Sequence, residues 1–269
     1  HDNHVRGLFL RDAGKLSGKG ELICNCTFTQ MGAWGIRVYN GSQYITISKN
    51  IFRDISGGAV MIGNVNDTQE TDRGLQMANV VVVDNEIIGM SKEFQGAPAV
   101  HSFCMRDSVI GYNRIFDVGY TGISFNWPYP QGPTLGPKGN SSSVGYSANN
   151  QIINNDVSFF MRYMTDGGGI HTIGRSYNTT VSENYFHHLA AGEPGMHSLH
   201  AQSIIYIDNW SCFLTVLNNV VDQCNSTIQG YIFFQGGHST NGISHDNHVR
   251  GLFLRDAGKL SGKGELICN

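Results

Sequence analysis

Short runs of alternating apolar and polar residues recur along the whole chain. Tyr44–Ser48 reads Tyr-Ile-Thr-Ile-Ser, Asn79–Asp84 is a run of four valines between polar ends, and Thr179–Phe186 reads TTVSENYF. Such β-branched, period-two segments predict strands. No stretch shows the 3.6-residue period of an amphipathic helix. Each run leads into a shared signature, an Asn followed closely by apolar residues, at Asn25, Asn50, Asn85, Asn113, Asn155, Asn184, Asn219 and Asn247. Eight steps of 22 to 42 residues carry this signature from Asn25 to Asn269. A fixed core pattern with variable spacing describes a solenoid whose rungs differ in their loops. An Asn at one corner of each rung would stack on its neighbours, hydrogen-bonding the turns above and below. Asn also tolerates the left-handed conformation such corners need. The prediction is an all-β chain, a right-handed parallel β-helix of about eight rungs per 244 residues.

A second column follows each Asn. Ile36, Val60, Val100, Ile123, Ile170, Ile205 and Ile232 come after small or apolar residues and are predicted to point inward. Alternation then turns Arg37, Met61, His101, Ser124, His171, Tyr206 and Phe233 outward. Two places beyond these stand Tyr39, Phe103, Asn126, Asp208 and Gln235. One polar and aromatic face is therefore expected along the solenoid.

The last 25 residues, His245 to Asn269, repeat His1 to Asn25 without a mismatch, at an offset of 244. Residues 1–269 are expected to form a single β-helix, with 1–244 one full repeat and 245–269 the start of the next. The alternative is a duplicated terminus. Composition narrows the function classes. Charged residues make up 14% and the net charge is −3, which gives no basic footprint for nucleic acid. No apolar run approaches the ~20 residues of a membrane span. Seven Asn-x-Ser/Thr sequons, at Asn25, Asn40, Asn66, Asn140, Asn178, Asn209 and Asn225, point to a secreted or cell-surface glycoprotein carrying N-linked glycans. One period holds five cysteines (Cys24, Cys26, Cys104, Cys212 and Cys224), an odd number that leaves one thiol free or paired across a subunit boundary. No zinc-type Cys/His spacing occurs, most of the eleven His residues read as ordinary surface or core positions, and neither metal nor cofactor is expected.

Four segments carry a family resemblance: Tyr120–Trp127 (YTGISFNW), Asp166–Gly174 (DGGGIHTIG), Asn184–His187 (NYFH) and Ile205–Asn209 (IYIDN). Over roughly residues 25–225 the chain resembles secreted right-handed parallel β-helix proteins related to glycoside hydrolases of the fucosidase/xylanase and β-xylosidase type. The resemblance implies Asp166 and Asp208 as a catalytic carboxylate pair. Glycosidic cleavage needs one acid to protonate the leaving oxygen and one carboxylate as nucleophile or base, their separation setting the stereochemistry. Trp127, His171 and Tyr206 would line the sugar site, with Glu183 and Glu193 as lesser acid candidates. The chain departs from the family pattern where Asn209 follows Asp208, a sequon beside the proposed carboxylate, and where His171 replaces a Tyr.

Two readings follow. In the first, the repeat makes the two ends of the solenoid mutually complementary. Units then stack head to tail, covalently or by association, into an extracellular filament with an axial period near ~38 Å. In the second, the chain is a glycoside hydrolase acting on a cell-wall polysaccharide, or a β-helix that binds carbohydrate without turnover.

Overall fold

A computed structural model describes residues 4–6, 9–10, 14–16, 19–39, 41–127, 147–189, 202–208, 211–222, 224, 230–234, 248–250, 253–254 and 266–268. Within these, three sheets of ten, nine and eight strands form, here sheets A, B and C, and every strand pairing is parallel. Successive strands pass to successive sheets. One coil places Val109–Gly111 in A, Arg114–Val118 in B and Ile123–Phe125 in C, and the next places Gln151–Ile153, Asp156–Ser158 and Gly167–Thr172 in the same order. The chain is thus a parallel β-helix. The lone helical element among the described residues is the 3₁₀ turn Val65–Gln69, where Asn64 and Asp67 cap each other reciprocally. Among the described residues no helix is long and apolar enough to cross a membrane.

The alternating runs explain the core. In Gln43–Ser48, Ile45 and Ile47 are fully buried, while Tyr44 just before them is 59% exposed and Thr46 between them is part-buried. Sheet A sends Ile47, Val82, Ile110, Ile152, Val181 and Val216 inward, and sheet B sends Phe28, Phe52, Ile87, Ile115, Val157 and Phe186. Phe28 and Phe52 stack at 4.7 Å, one coil apart. A column of like side chains repeating at the coil spacing of ~4.8 Å makes a continuous dry interior.

Six of the corner asparagines form one hydrogen-bonded ladder. The Asn50 amide donates to Asn85 Oδ1 (3.0 Å), Asn85 to Asn113 (2.9 Å), Asn113 to Asn155 (3.0 Å), Asn155 to Asn184 (2.9 Å) and Asn184 to Asn219 (2.9 Å). Each also donates to a backbone carbonyl of the preceding coil, as Asn113 does to Val82 O. Two details of the expectation change. The ladder residues are buried and not left-handed; the positive φ falls on the preceding residue, Lys49, Asp84, Tyr112, Asn154, Glu183 or Asn218. The turn is made one position early, so that the Asn side chain folds inside it. Asn25 is accordingly a left-handed, exposed corner residue (φ 55°), and Cys26 occupies the ladder place, its N–H donating to Asn50 Oδ1. Asn247 and Asn269 lie outside the described residues.

A shorter polar ladder, Ser108–Asn150–Thr179, satisfies a neighbouring set of backbone groups: Ser108 N–H donates to Asn150 Oδ1 and Asn150 N–H to Thr179 Oγ1. Cys24, Cys26, Cys104, Cys212 and Cys224 are all buried. Identical segments adopt identical registers: His4 pairs with Leu22 and His248 with Leu266, both in sheet A.

Candidate functional site

The site grows from the outward face of sheet C. The column runs in strict register, Arg37 to Met61, Met61 to His101, His101 to Ser124, Ser124 to His171 and His171 to Tyr206. The chain continues to Phe233, whose side chain lies outside the description. Inward neighbours Ile123, Ile170 and Ile205 are fully buried, which holds their outward partners at fixed heights.

Asp166 sits at the corner that opens the strand Gly167–Thr172, with φ of +64° and an exposed side chain. The glycines after it are required by close approach. A Cβ on Gly167 would meet Thr121 Oγ1 at 2.5 Å and the Tyr120 ring at 2.8 Å. One on Gly168 would lie 2.5 Å from Ser203 O, and one on Gly169 would strike the Phe186 ring at 2.6 Å. With Gly167 bare, Tyr120 lies across the strand and its hydroxyl donates to Asp166 O at 2.5 Å. Gly168→Ala presses against backbone that cannot rotate away. It is expected to cost about 2–3 kcal/mol and lower Tm by several degrees, measured by thermal melts.

Asp208 closes the strand Gln202–Ile207 in the next coil and is 6% exposed. Its N–H donates to Thr172 O (2.9 Å), and its carbonyl accepts from Ser211 N–H (3.1 Å). Between the carboxylates stands one stacked pair. The rings of His171 and Tyr206 lie 4.6 Å apart and nearly parallel, at 5°. Tyr206 O–H donates to Asp166 Oδ1 at 3.0 Å, and His171 Nε2 lies 3.1 Å from Asp208 Oδ2. Trp127 meets the His171 ring edge-on at 5.1 Å. The structure thus gathers Asp166, Asp208, Trp127, His171 and Tyr206 at one place. Glu183 is elsewhere, at an exposed corner between sheets A and B where it accepts from Asn154. Glu193 lies outside the described residues.

Burial, followed by the charges of Asp208 and Asp166, pushes the Tyr206 phenol far above its ordinary range. Tyr120 is raised by burial and by Asp166. Both phenols therefore keep their protons and act as donors. Above the pair, His101 continues the aromatic row, 6.3 Å from Trp127, 4.7 Å from Phe103 and 6.2 Å from Trp34. Sequence reasoning placed His101 and Ser124 in the outward column without a role, and gave Tyr120 none either. Their part depends on which rings touch across coils. His101 Nδ1, Ser124 Oγ and His171 Nδ1 are buried and make no hydrogen bond with protein groups.

Burial, and then the neighbouring His171, lowers His101 from 6.5 to about 4. A histidine held neutral in the fold contributes stability that is complete above the unfolded value near 6.5. That stability is lost as pH falls toward 4. The loss is expected to be about 1–2 kcal/mol, below the full linkage value because His101 is not fully buried. Urea titrations from pH 7 to pH 4 should show it, and His101→Gln should flatten that part of the profile.

Among the described residues no three His, Cys, Asp or Glu side chains converge as a metal centre. No family model and no curated protein matches the chain. Solved structures do. A glycoside hydrolase superposes with a TM-score of 0.69 at 20% identity, over 96% of this chain and 38% of that one. An alginate lyase from Paenibacillus sp. str. FPU-7 gives 0.63 at 11% identity, over 94% of this chain and 75% of the lyase. A DFA-IIIase from Arthrobacter chlorophenolicus A6 without its lid gives 0.52 at 13%, over 92% and 54%. The chain therefore spans well under half the length of the glycoside hydrolase it resembles. At these identities the likeness establishes the fold, the parallel β-helix.

Proposed function

We propose that this β-helix forms the catalytic face of a carbohydrate-active enzyme, a glycoside hydrolase in which Asp166 and Asp208 share the acid and nucleophile-or-base roles. The observation that carries the reading is the stacked His171–Tyr206 pair, which holds one carboxylate with each ring on an outward sheet face. Trp127 supplies an apolar wall for a sugar ring. The fold likeness to a glycoside hydrolase and to an alginate lyase supports a carbohydrate-active face. Elimination by a lyase needs a base to remove a proton next to a uronate. Tyr206 is unsuited to that task, since burial, and then the charges of Asp208 and Asp166, keep its phenol protonated.

Screening the purified chain against neutral and acidic cell-wall polysaccharides tests the reading. Reducing ends without the ultraviolet absorbance of an unsaturated product mean hydrolysis, and the unsaturated product would replace it with a lyase. Tyr206→Phe keeps the ring and deletes the hydroxyl that donates to Asp166. It is expected to lower kcat about 10-fold or more, with little change in Tm.

A second reading, head-to-tail stacking into an extracellular filament, draws on the register of the repeated segment, whose two copies enter sheet A through equivalent pairings. N-linked glycans would attach at the exposed Asn25, Asn66 and Asn178. Asn40, Asn140, Asn209 and Asn225 lie outside the described residues. Negative-stain images showing only compact single particles would dispose of this reading.

A further inference from the structure

Away from sheet C, two adjacent histidines present their ring nitrogens to each other. In the sheet B strand Tyr185–His187, Tyr185 and His187 face outward and Phe186 enters the core. Strict alternation would carry the next side chain to the opposite face. His188 instead takes a φ of +53°, which turns its ring back beside His187. The two Nδ1 atoms are 2.6 Å apart. At the far side of its ring, His187 Nε2 lies 2.8 Å from Asp156 Oδ1. Bonding an ionised carboxylate there requires Nε2–H, so a neutral His187 has its lone pair on Nδ1 and accepts the proton of His188 Nδ1. Both rings are braced. Tyr185 stacks on His187 at 4.5 Å, and Phe159 stacks on His188 at 5.1 Å.

We propose that His187 and His188 chelate a divalent transition-metal cation through their two Nδ1 atoms, with Asp156 orienting His187 from behind. A ligating imidazole that donates its other N–H to a carboxylate is the usual outer-shell arrangement of metal-bound histidine. The cation takes the place of the one bridging proton. That proton moves from Nδ1 to Nε2 of His188, so none is lost and no electron is transferred. Nitrogen–metal bonds of ~2.0–2.1 Å need the nitrogens roughly 3 Å apart, a small ring rotation from the present contact. Imidazole donors select Zn²⁺, Cu²⁺ or Ni²⁺ over Mg²⁺ or Ca²⁺. Solvent completes the shell, which leaves open coordination positions and an affinity below that of a four-ligand structural site.

Calorimetric titration of the whole chain with ZnCl₂, and Cu²⁺ electron paramagnetic resonance, test the assignment. Zn²⁺ should bind at one site where Mg²⁺ does not, and Cu²⁺ should show coupling to two nitrogens. His187→Gln and His188→Asn should each weaken Zn²⁺ about 10-fold or more, with one nitrogen lost from the spectrum, and Asp156→Asn should weaken it about 10–100-fold. Asn suits a positive φ, so His188→Asn keeps the corner, and circular dichroism checks each variant's fold. Failure of the wild-type chain to bind at millimolar Zn²⁺ overturns the proposal. So does a His187→Gln/His188→Asn double variant that binds as tightly as wild type.

Discussion

Asp208→Asn is expected to abolish glycosidic cleavage, lowering kcat by about 10³-fold or more on whichever polysaccharide the screen identifies. The substitution is close to isosteric. An Asn side-chain oxygen can still receive a proton from His171 Nε2, so the 3.1 Å contact and the His171–Tyr206 stack survive. What is lost is the capacity to carry a proton or a full negative charge, and both are needed of the pair. Asp166→Asn should behave alike, because Tyr206 O–H can still donate to the amide oxygen in place of Asp166 Oδ1. Tm should move by no more than a few degrees in either variant. Full activity in both would remove the hydrolytic assignment from this face. Loss of activity together with a large fall in Tm would mean that the residues hold the corner and do no chemistry.

The largest stability effect should come from the ladder. Asn113 Oδ1 accepts from both the backbone N–H and the side-chain amide of Asn85, and its own amide donates to Val82 O and Asn155 Oδ1. Asn113 and Asn85 are 1% and 2% exposed, so no water replaces these bonds. Asn113→Ala strands two donors on Asn85 and leaves Val82 O without its side-chain donor. At about 1–3 kcal/mol for each buried unsatisfied group, the cost should be about 3–5 kcal/mol, seen as a Tm lower by roughly 10 °C. Asn154→Ala, at the corner one coil on, should cost about 1 kcal/mol, mainly for placing Ala at φ +54°. Equal effects in the two variants would show that corner geometry, and not the amide ladder, holds the coils together.

The contrast between these two positions also shows where sequence reading succeeded. Buried ladder asparagines were recognisable because the amide is chemically specific: only a side chain with a donor and an acceptor can repeat this bond from coil to coil. The left-handed corner was assigned one residue too late. Lys49, Asp84, Tyr112, Asn154 and Glu183 all take positive φ, and they share no side-chain chemistry that would mark them. Their conformation is imposed by the ladder bonds that follow, which offset a cost of roughly 1–2 kcal/mol at each corner. Asn25 departs from the pattern for the same reason, since Cys26 fills the ladder place with its backbone N–H and no side-chain amide.

By itself the sequence determined the parallel β-helix and the outward column from Arg37 to Tyr206. Alternation and a repeated amide act locally, and the same short-range rule holds in every coil. Only the tertiary structure decided what that column does. It set His171 flat on Tyr206, gave each ring a different carboxylate, swung Trp127 edge-on, and left Glu183 at another corner. It also turned His188 back onto His187, a pair the sequence offered no reason to single out. These contacts join residues from different coils or hang on one backbone angle, and their geometry follows from register and close packing, which spacing along a chain does not encode.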